Sequence, residues 1–179
     1  MANSRLVNFF NDISSIANSK KCLLNFEICY KTSNFYSYPV DKSKIKAIEY
    51  GKSPAHIGRL IHAVDFMCPV GTPIKAAADG IIVDIKQDSD IGGPDKSFDK
   101  HGNYVEIKHE DNEYSIYEHI KKGSSEVKIG DNVKTGQFIA KCGLTGWVGT
   151  RGPHVHFDVH RYFGTGPEDY KTLKIMWKK

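Results

Sequence analysis

Long apolar runs are absent: nothing in the 179 residues approaches the ~18 consecutive apolar residues of a membrane-spanning helix. Residues 1–20 also lack the basic start, apolar middle and small-residue cleavage site of a secretory signal peptide. That leaves a cytoplasmic protein or one whose export signal lies outside this sequence. Cysteine is scarce. Cys22, Cys29, Cys68 and Cys142 show neither C-x-x-C spacing nor the density of a disulfide scaffold, which excludes a zinc ribbon and a dithiol redox motif. Mostly buried, free thiols are expected, with a Cys22–Cys29 bridge left open. The net charge is only +4 and the Lys and Arg residues are scattered, so no basic stripe marks a nucleic-acid partner. A mildly basic surface suits an anionic polymer. There is no internal repeat and no low-complexity tract.

What is present suits a globular domain, or one domain with an appendage: 40% of the residues are hydrophobic, enough for a core. Leu6, Phe9, Phe10, Ile13 and Ile16 recur at helical spacing, which predicts a short amphipathic helix over 5–18. From there on the texture is β. Short runs at 23–30, 35–38 and 46–50 are followed by strand-like segments at 63–67, 80–87, 104–109, 114–120, 137–142 and 155–162. Many short strands broken by glycine, with no helix-length segment between them, predict an antiparallel β sandwich or barrel. The polar, turn-rich residues 88–102 read as a long surface loop, the kind that often walls a binding site. Gly80, Gly102, Gly130 and Gly152 read as turn positions with positive φ. Lys174 and the closing Met176-Trp177-Lys178-Lys179 read as a solvated tail.

One strand carries chemistry. In Gly152-Pro153-His154-Val155-His156-Phe157-Asp158-Val159-His160 apolar and titratable residues alternate without a miss. Val155, Phe157 and Val159 can face a core while His154 and His156 stand together on the opposite face, about 6.5–7 Å apart at Cα. Two imidazoles so placed can share a metal, and a solvated strand face that happens to hold histidines is the competing reading. Asp158, His160 and Glu118 are the nearby groups able to orient a ligand imidazole by accepting its free N–H. His109 follows Val105 and Ile107 at strand spacing and reads as structural; His101, in the loop, as solvated. Tyr117 is open between an oxyanion donor and a core tyrosine, and Trp147 between a groove wall and loop packing.

The hairpin over 126–140 resembles the turn of biotinyl and lipoyl carriers, but no carrier lysine sits at its tip. Taken with other segments it resembles the LytM or lysostaphin-type zinc metallopeptidases, which cut peptides of bacterial peptidoglycan. The carrying pieces are Ala63-Val64-Asp65-Phe66 with Pro69-Val70-Gly71-Thr72-Pro73-Ile74, the segment Ala76 to Val83, Gly102 to His109, Tyr117-Glu118-His119, Val127 to Gln137, Gly143-Leu144-Thr145-Gly146, and Gly152-Pro153-His154-Val155-His156-Phe157. They fall in the family's order across roughly residues 54–160. The resemblance implies a mainly β fold, an antiparallel sandwich or barrel built on a duplicated hybrid motif with the lysostaphin-like peptidase core, extended by a short N-terminal helix and extra strands. The expected organisation is an N-terminal helix and β extension at 1–50, the LytM-type domain at 51–165 and a C-terminal tail at 166–179.

The resemblance also implies roles. His156 is similar to the family's zinc-binding histidine and Asp65 to its carboxylate ligand; His154 and His119 match its catalytic histidines. The third ligand departs from the common H-x-x-x-D pattern, because position 61 is Ile. His56, followed by Ile57-Gly58-Arg59, is taken as the ligand, as in a branch of the family. His62 is the alternative, three residues before Asp65 and so on the opposite face of an extended segment. One zinc ion per chain is implied, in a His-His-Asp set whose open position takes water and brings its pKa to about 7. The implied substrate is a peptidoglycan stem or cross-bridge peptide, and the implied location the cell envelope. Two other functions compete. A family member lacking full metal ligation would bind wall peptide or activate an amidase, and a sugar-phosphotransferase histidine phosphocarrier would share the hairpin and paired histidines. Asp65 disfavours the carrier, since a carboxylate repels a phosphohistidine.

Overall fold

The computed structural model describes residues 30–51, 53–166 and 169–179. The helix expected at 5–18, Cys22, Cys29 and nearly all of the strand expected at 23–30 lie outside the described residues. Among the described residues fourteen strands follow in order: β1 Lys31–Tyr36, β2 Ala47–Tyr50, β3 Val64–Met67, β4 Pro73–Lys75, β5 Gly80–Lys86, β6 Gly92–Gly93, β7 Tyr104–Lys108, β8 Tyr114–Glu118, β9 Asn132–Val133, β10 Phe138–Lys141, β11 Gly146–Trp147, β12 His154–Tyr162, β13 Tyr170–Thr172 and β14 Lys174–Trp177.

An eight-stranded sheet runs in the order β2-β3-β12-β8-β7-β5-β9, with β13 also paired to β12, and every pairing in it is antiparallel. Alternation gives this sheet two unlike faces. Val64 and Phe66 of β3, Val155, Phe157 and Val159 of β12, Tyr117 of β8, Val105 and Ile107 of β7 and Ile82 of β5 are all buried in one apolar cluster. The antiparallel pair β4–β10 closes over that cluster with Ile74, Ile139 and Ala140. The opposite face carries Asp65, His154, His156 and Asp158, and loops cover it. The fold is mainly β and antiparallel, as the strand pattern predicts, and the long loop over 88–102 contains β6, which pairs with β11, and a 3-10 turn at Lys96–His101.

Two expectations need correction. The supposed solvated tail is β13 and β14: β14 pairs in parallel with β1, Leu173 and Ile175 are buried, and Trp177 meets Tyr38, Phe66 and Phe157 edge-on or tilted. Its lysines and Met176 remain exposed. Among the glycines, Gly130 and Gly152 do have positive φ, of 95° and 90°, whereas Gly80 and Gly102 do not. Space decides Gly80 instead: a Cβ there would lie 2.4 Å from the carbonyl oxygen of Lys108.

Candidate metal centre

β12 is the floor of the site. It is flanked by β3 on one side and β8 on the other, with His156 opposite Asp65 in one ladder and opposite Glu118 in the other. The Asp65 side chain is therefore brought beside His156 by strand pairing alone. His56 arrives by another route. It lies in the loop before β3, where the backbone turns through Ser53–His56 and Ala55–Ile57 hydrogen bonds and a 3-10 turn at Gly58–Leu60, and this folds the imidazole back over Asp65.

Three donor atoms then converge. His56 Nε2 is 3.1 Å from Asp65 Oδ1 and 3.1 Å from His156 Nδ1, and His156 Nδ1 is 3.2 Å from Asp65 Oδ1. Zinc bonds of ~2.0–2.1 Å in a tetrahedron place donors about 3.3 Å apart, so this triangle matches the metal in size and in donor chemistry. All three side chains are buried. Among the described residues this is the one group of His, Cys, Asp or Glu that meets the geometry of a metal cluster. His62 is outside it: its backbone N–H donates to Thr172 Oγ1 (3.0 Å), and partial burial, then Lys171 and Lys174, lower the imidazole's pKa. For Asp65, burial acts to raise the pKa, but bonds to His156 and His56 outweigh it and hold the carboxyl well below the usual range. His156 goes the other way: burial acts to lower it, and bonds to Asp158 and Asp65 raise it well above 6.5. A cation held by these residues would take the place of the proton on His156.

Next to the triangle stand His119 and His154, with ring centroids 4.7 Å apart and His154 Nε2 3.9 Å from Asp65 Oδ1. Each is oriented by the backbone. His119 Nδ1 donates to the Thr145 carbonyl at 2.8 Å and His154 Nδ1 to the Gly152 carbonyl at 2.9 Å. A carbonyl only accepts, so both rings carry their proton on Nδ1 and present a bare Nε2 lone pair. Burial, followed by the neighbouring His154 and His156, pushes His119 down to about 3, and burial also lowers His154. Both are therefore neutral at pH 7. A cavity of about 220 Å³ opens above them, lined by Asp65, His119, His154, His156, Glu118 and Trp147 among others.

The remaining expectations sort cleanly. Trp147 does line this cavity, while its indole donates to the Pro94 carbonyl at 3.0 Å. Tyr117 is a core residue whose hydroxyl accepts from the Ala77 N–H (2.8 Å), so it stands away from any oxyanion. His109 is structural, held by the Asp79 carbonyl and Ser115 Oγ at 2.7 Å each. Of the three groups named as possible supports for His156, Asp158 is the nearest partner, its Oδ2 3.6 Å from Nε2, and its Oδ1 pairs with His160 at 2.7 Å. Two residues escaped the sequence reading. Arg151 Nη2 bonds Asp65 Oδ2 at 2.7 Å and its Nη1 bonds Glu49, contacts that depend on the β2–β3 pairing and leave no local signal.

The sequence model of peptidase family M23 matches residues 59–168, more than half of the chain. The segment includes Asp65, His119, His154 and His156, but begins after His56. The chain is 34% identical over 134 residues to peptidoglycan DD-endopeptidase ShyB of Vibrio cholerae, covering 70% of this chain and 27% of that protein. In three dimensions it is similar to the catalytic domain of the prophage-encoded M23 protein EnpA from Enterococcus faecalis, with TM-score 0.53 and 30% identity over 73% of this chain and 89% of that one. It is also similar to a zinc-containing peptidase from Vibrio cholerae, with TM-score 0.50 and 30% identity over 70% and 36% of the two chains. The chain spans less than half the length of the curated relatives it matches.

Proposed function

Because the chain belongs to peptidase family M23, we propose that it is a zinc-dependent endopeptidase that hydrolyses peptide bonds in bacterial peptidoglycan, acting in the cell envelope. The observation that carries the reading is the convergence of His56 Nε2, Asp65 Oδ1 and His156 Nδ1 at 3.1–3.2 Å beside two neutral histidines. These three residues would hold one zinc ion. When bound, zinc supplies a Lewis acid that polarises a peptide carbonyl and brings a water pKa to about 7.

The chain's own groups do the rest. His119 and His154 offer Nε2 lone pairs to the cavity, so either takes a proton from attacking water, and the resulting imidazolium donates to the oxyanion or to the departing amine. The carbonyls of Thr145 and Gly152 accept from Nδ1 throughout and hold the two rings in register. Asp158 supports the far nitrogen of His156 and is itself held by His160, which also bonds Glu106 at 3.1 Å. A phosphocarrier role is disfavoured by Asp65 Oδ1, 3.9 Å from His154 Nε2, since a carboxylate there repels a phosphoryl group.

Mass analysis of fragments released from purified peptidoglycan, with and without a chelator, tests the reading. Chelator-sensitive cutting of stem or cross-bridge peptides is expected. Release of intact stem peptides from the sugar would identify an amidase instead.

A further inference from the structure

Asp65 divides its two oxygens between two neighbourhoods. Oδ1 faces His56 and His156, whereas Oδ2 accepts from Arg151 Nη2 at 2.7 Å. The second guanidinium nitrogen, Nη1, is bonded to Glu49 Oε2. Glu49 is the direct cross-strand partner of Asp65 in the β2–β3 ladder, so two carboxylates stand side by side, about 4.5–5.5 Å apart at Cβ, with Arg151 bridging them. Glu49 and Arg151 are each about a quarter exposed, which puts the bridge at the rim of the buried cluster. Residue 49 also precedes the segment that the family's sequence model matches.

A guanidinium bonded to a metal-binding carboxylate has two opposed effects. Its fork fixes the carboxylate, committing Oδ2 outward and Oδ1 inward. Its positive charge, close to where a dication would bind, works against that dication. A second carboxylate on the same guanidinium keeps the first effect and offsets the other.

We propose that Glu49 is a positioning residue of the metal centre, acting through Arg151: it holds the guanidinium against Asp65 and balances its charge, so that the aspartate is fixed without the cation being repelled. The inference rests on the reading that His56, Asp65 and His156 hold zinc, and it makes β2 part of the site.

The zinc dissociation constant of the full chain, read by competition with a chromophoric chelator, tests it. Glu49→Gln is expected to weaken zinc binding by about tenfold or more. Glu49→Asp, which keeps the charge, stays close to the parent. The double variant Glu49→Gln with Arg151→Gln is expected to bind zinc more tightly than Glu49→Gln alone, because the unbalanced cation is gone and the two changes do not add. Raising the ionic strength should narrow the gap between Glu49→Gln and the parent, which a purely structural role would not produce. Metal-free thermal unfolding identifies a variant that does not fold, and Glu49→Ala then replaces Glu49→Gln. Parental zinc affinity in Glu49→Gln, or a double variant as weak as the single one, overturns the inference while leaving the metal centre intact. A parent chain that takes up no zinc overturns both.

Discussion

His119 sits at φ 62°, a left-handed conformation that a non-glycine residue holds at a cost of order 1 kcal/mol or more. Strand alternation carried one step past β8 would have sent its ring into the core with Tyr117. The positive φ ends the strand at Glu118 and turns the imidazole to the cavity, where Gly146 lets the chain pass: a Cβ on Gly146 would meet Gly102 Cα at 2.6 Å. Periodicity could not have found this residue, and only the family's Tyr-x-His pattern marked it. His154, by contrast, was legible from alternation, since β12 repeats its apolar and titratable sets from His154 to His160. Neither ring belongs to the donor triangle. Replacing His119 or His154 by Gln should therefore leave zinc content unchanged and lower kcat by about 10² to 10⁴, as steady-state kinetics on a cross-bridge peptide would show. Loss of zinc in either variant would place that ring among the ligands.

At the scale of the element, β12 holds a buried polar row behind the metal centre. Asp158 bonds His160, and His160 bonds Glu106, which also accepts from Tyr162 at 2.7 Å. Burial acts to lower His160, but the charges and bonds of Asp158 and Glu106 outweigh it and raise its pKa to about 9. A folded-state pKa above the unfolded value of 6.5 means that the stabilisation is fully present below 6.5 and is lost as pH rises through about 9. The shift corresponds to something on the order of 3 kcal/mol. Metal-free thermal unfolding should therefore show Tm falling between about pH 7 and 9.5 in the parent and a flatter profile in His160→Gln. An equal decline in both would show that His160 makes no such contribution. The sequence displays His160 and Asp158 on the right face of β12. It does not display Glu106, or the pairing of Glu49 with Asp65, because strand partners distant in the chain are fixed by topology and not by local pattern.

Across the whole molecule, the strand content of the central sheet followed from alternation and glycine punctuation, whereas its strand order and the C-terminal strands did not. Leu173, Ile175 and Trp177 alternate with Lys174, Met176 and Lys178, a strand signal that the closing lysines obscured. Once formed, β14 joins β1 and sets Trp177 on the aromatic cluster of Phe66 and Phe157, the core side of the same strands that carry Asp65 and His156. The site is thus assembled from distant parts: a loop histidine, an aspartate of β3, a turn residue after β8 and the face of β12. The loop histidine is the part that departs from the common spacing, since position 61 is Ile and His56 precedes the matched family segment. Zinc content per chain after dialysis, measured by elemental mass spectrometry on the parent, His56→Ala and His62→Ala, tests the choice of His56 over His62 directly. One zinc in the parent and in His62→Ala, with almost none in His56→Ala, is the expected result; full zinc retained by His56→Ala would contradict the metal centre described here.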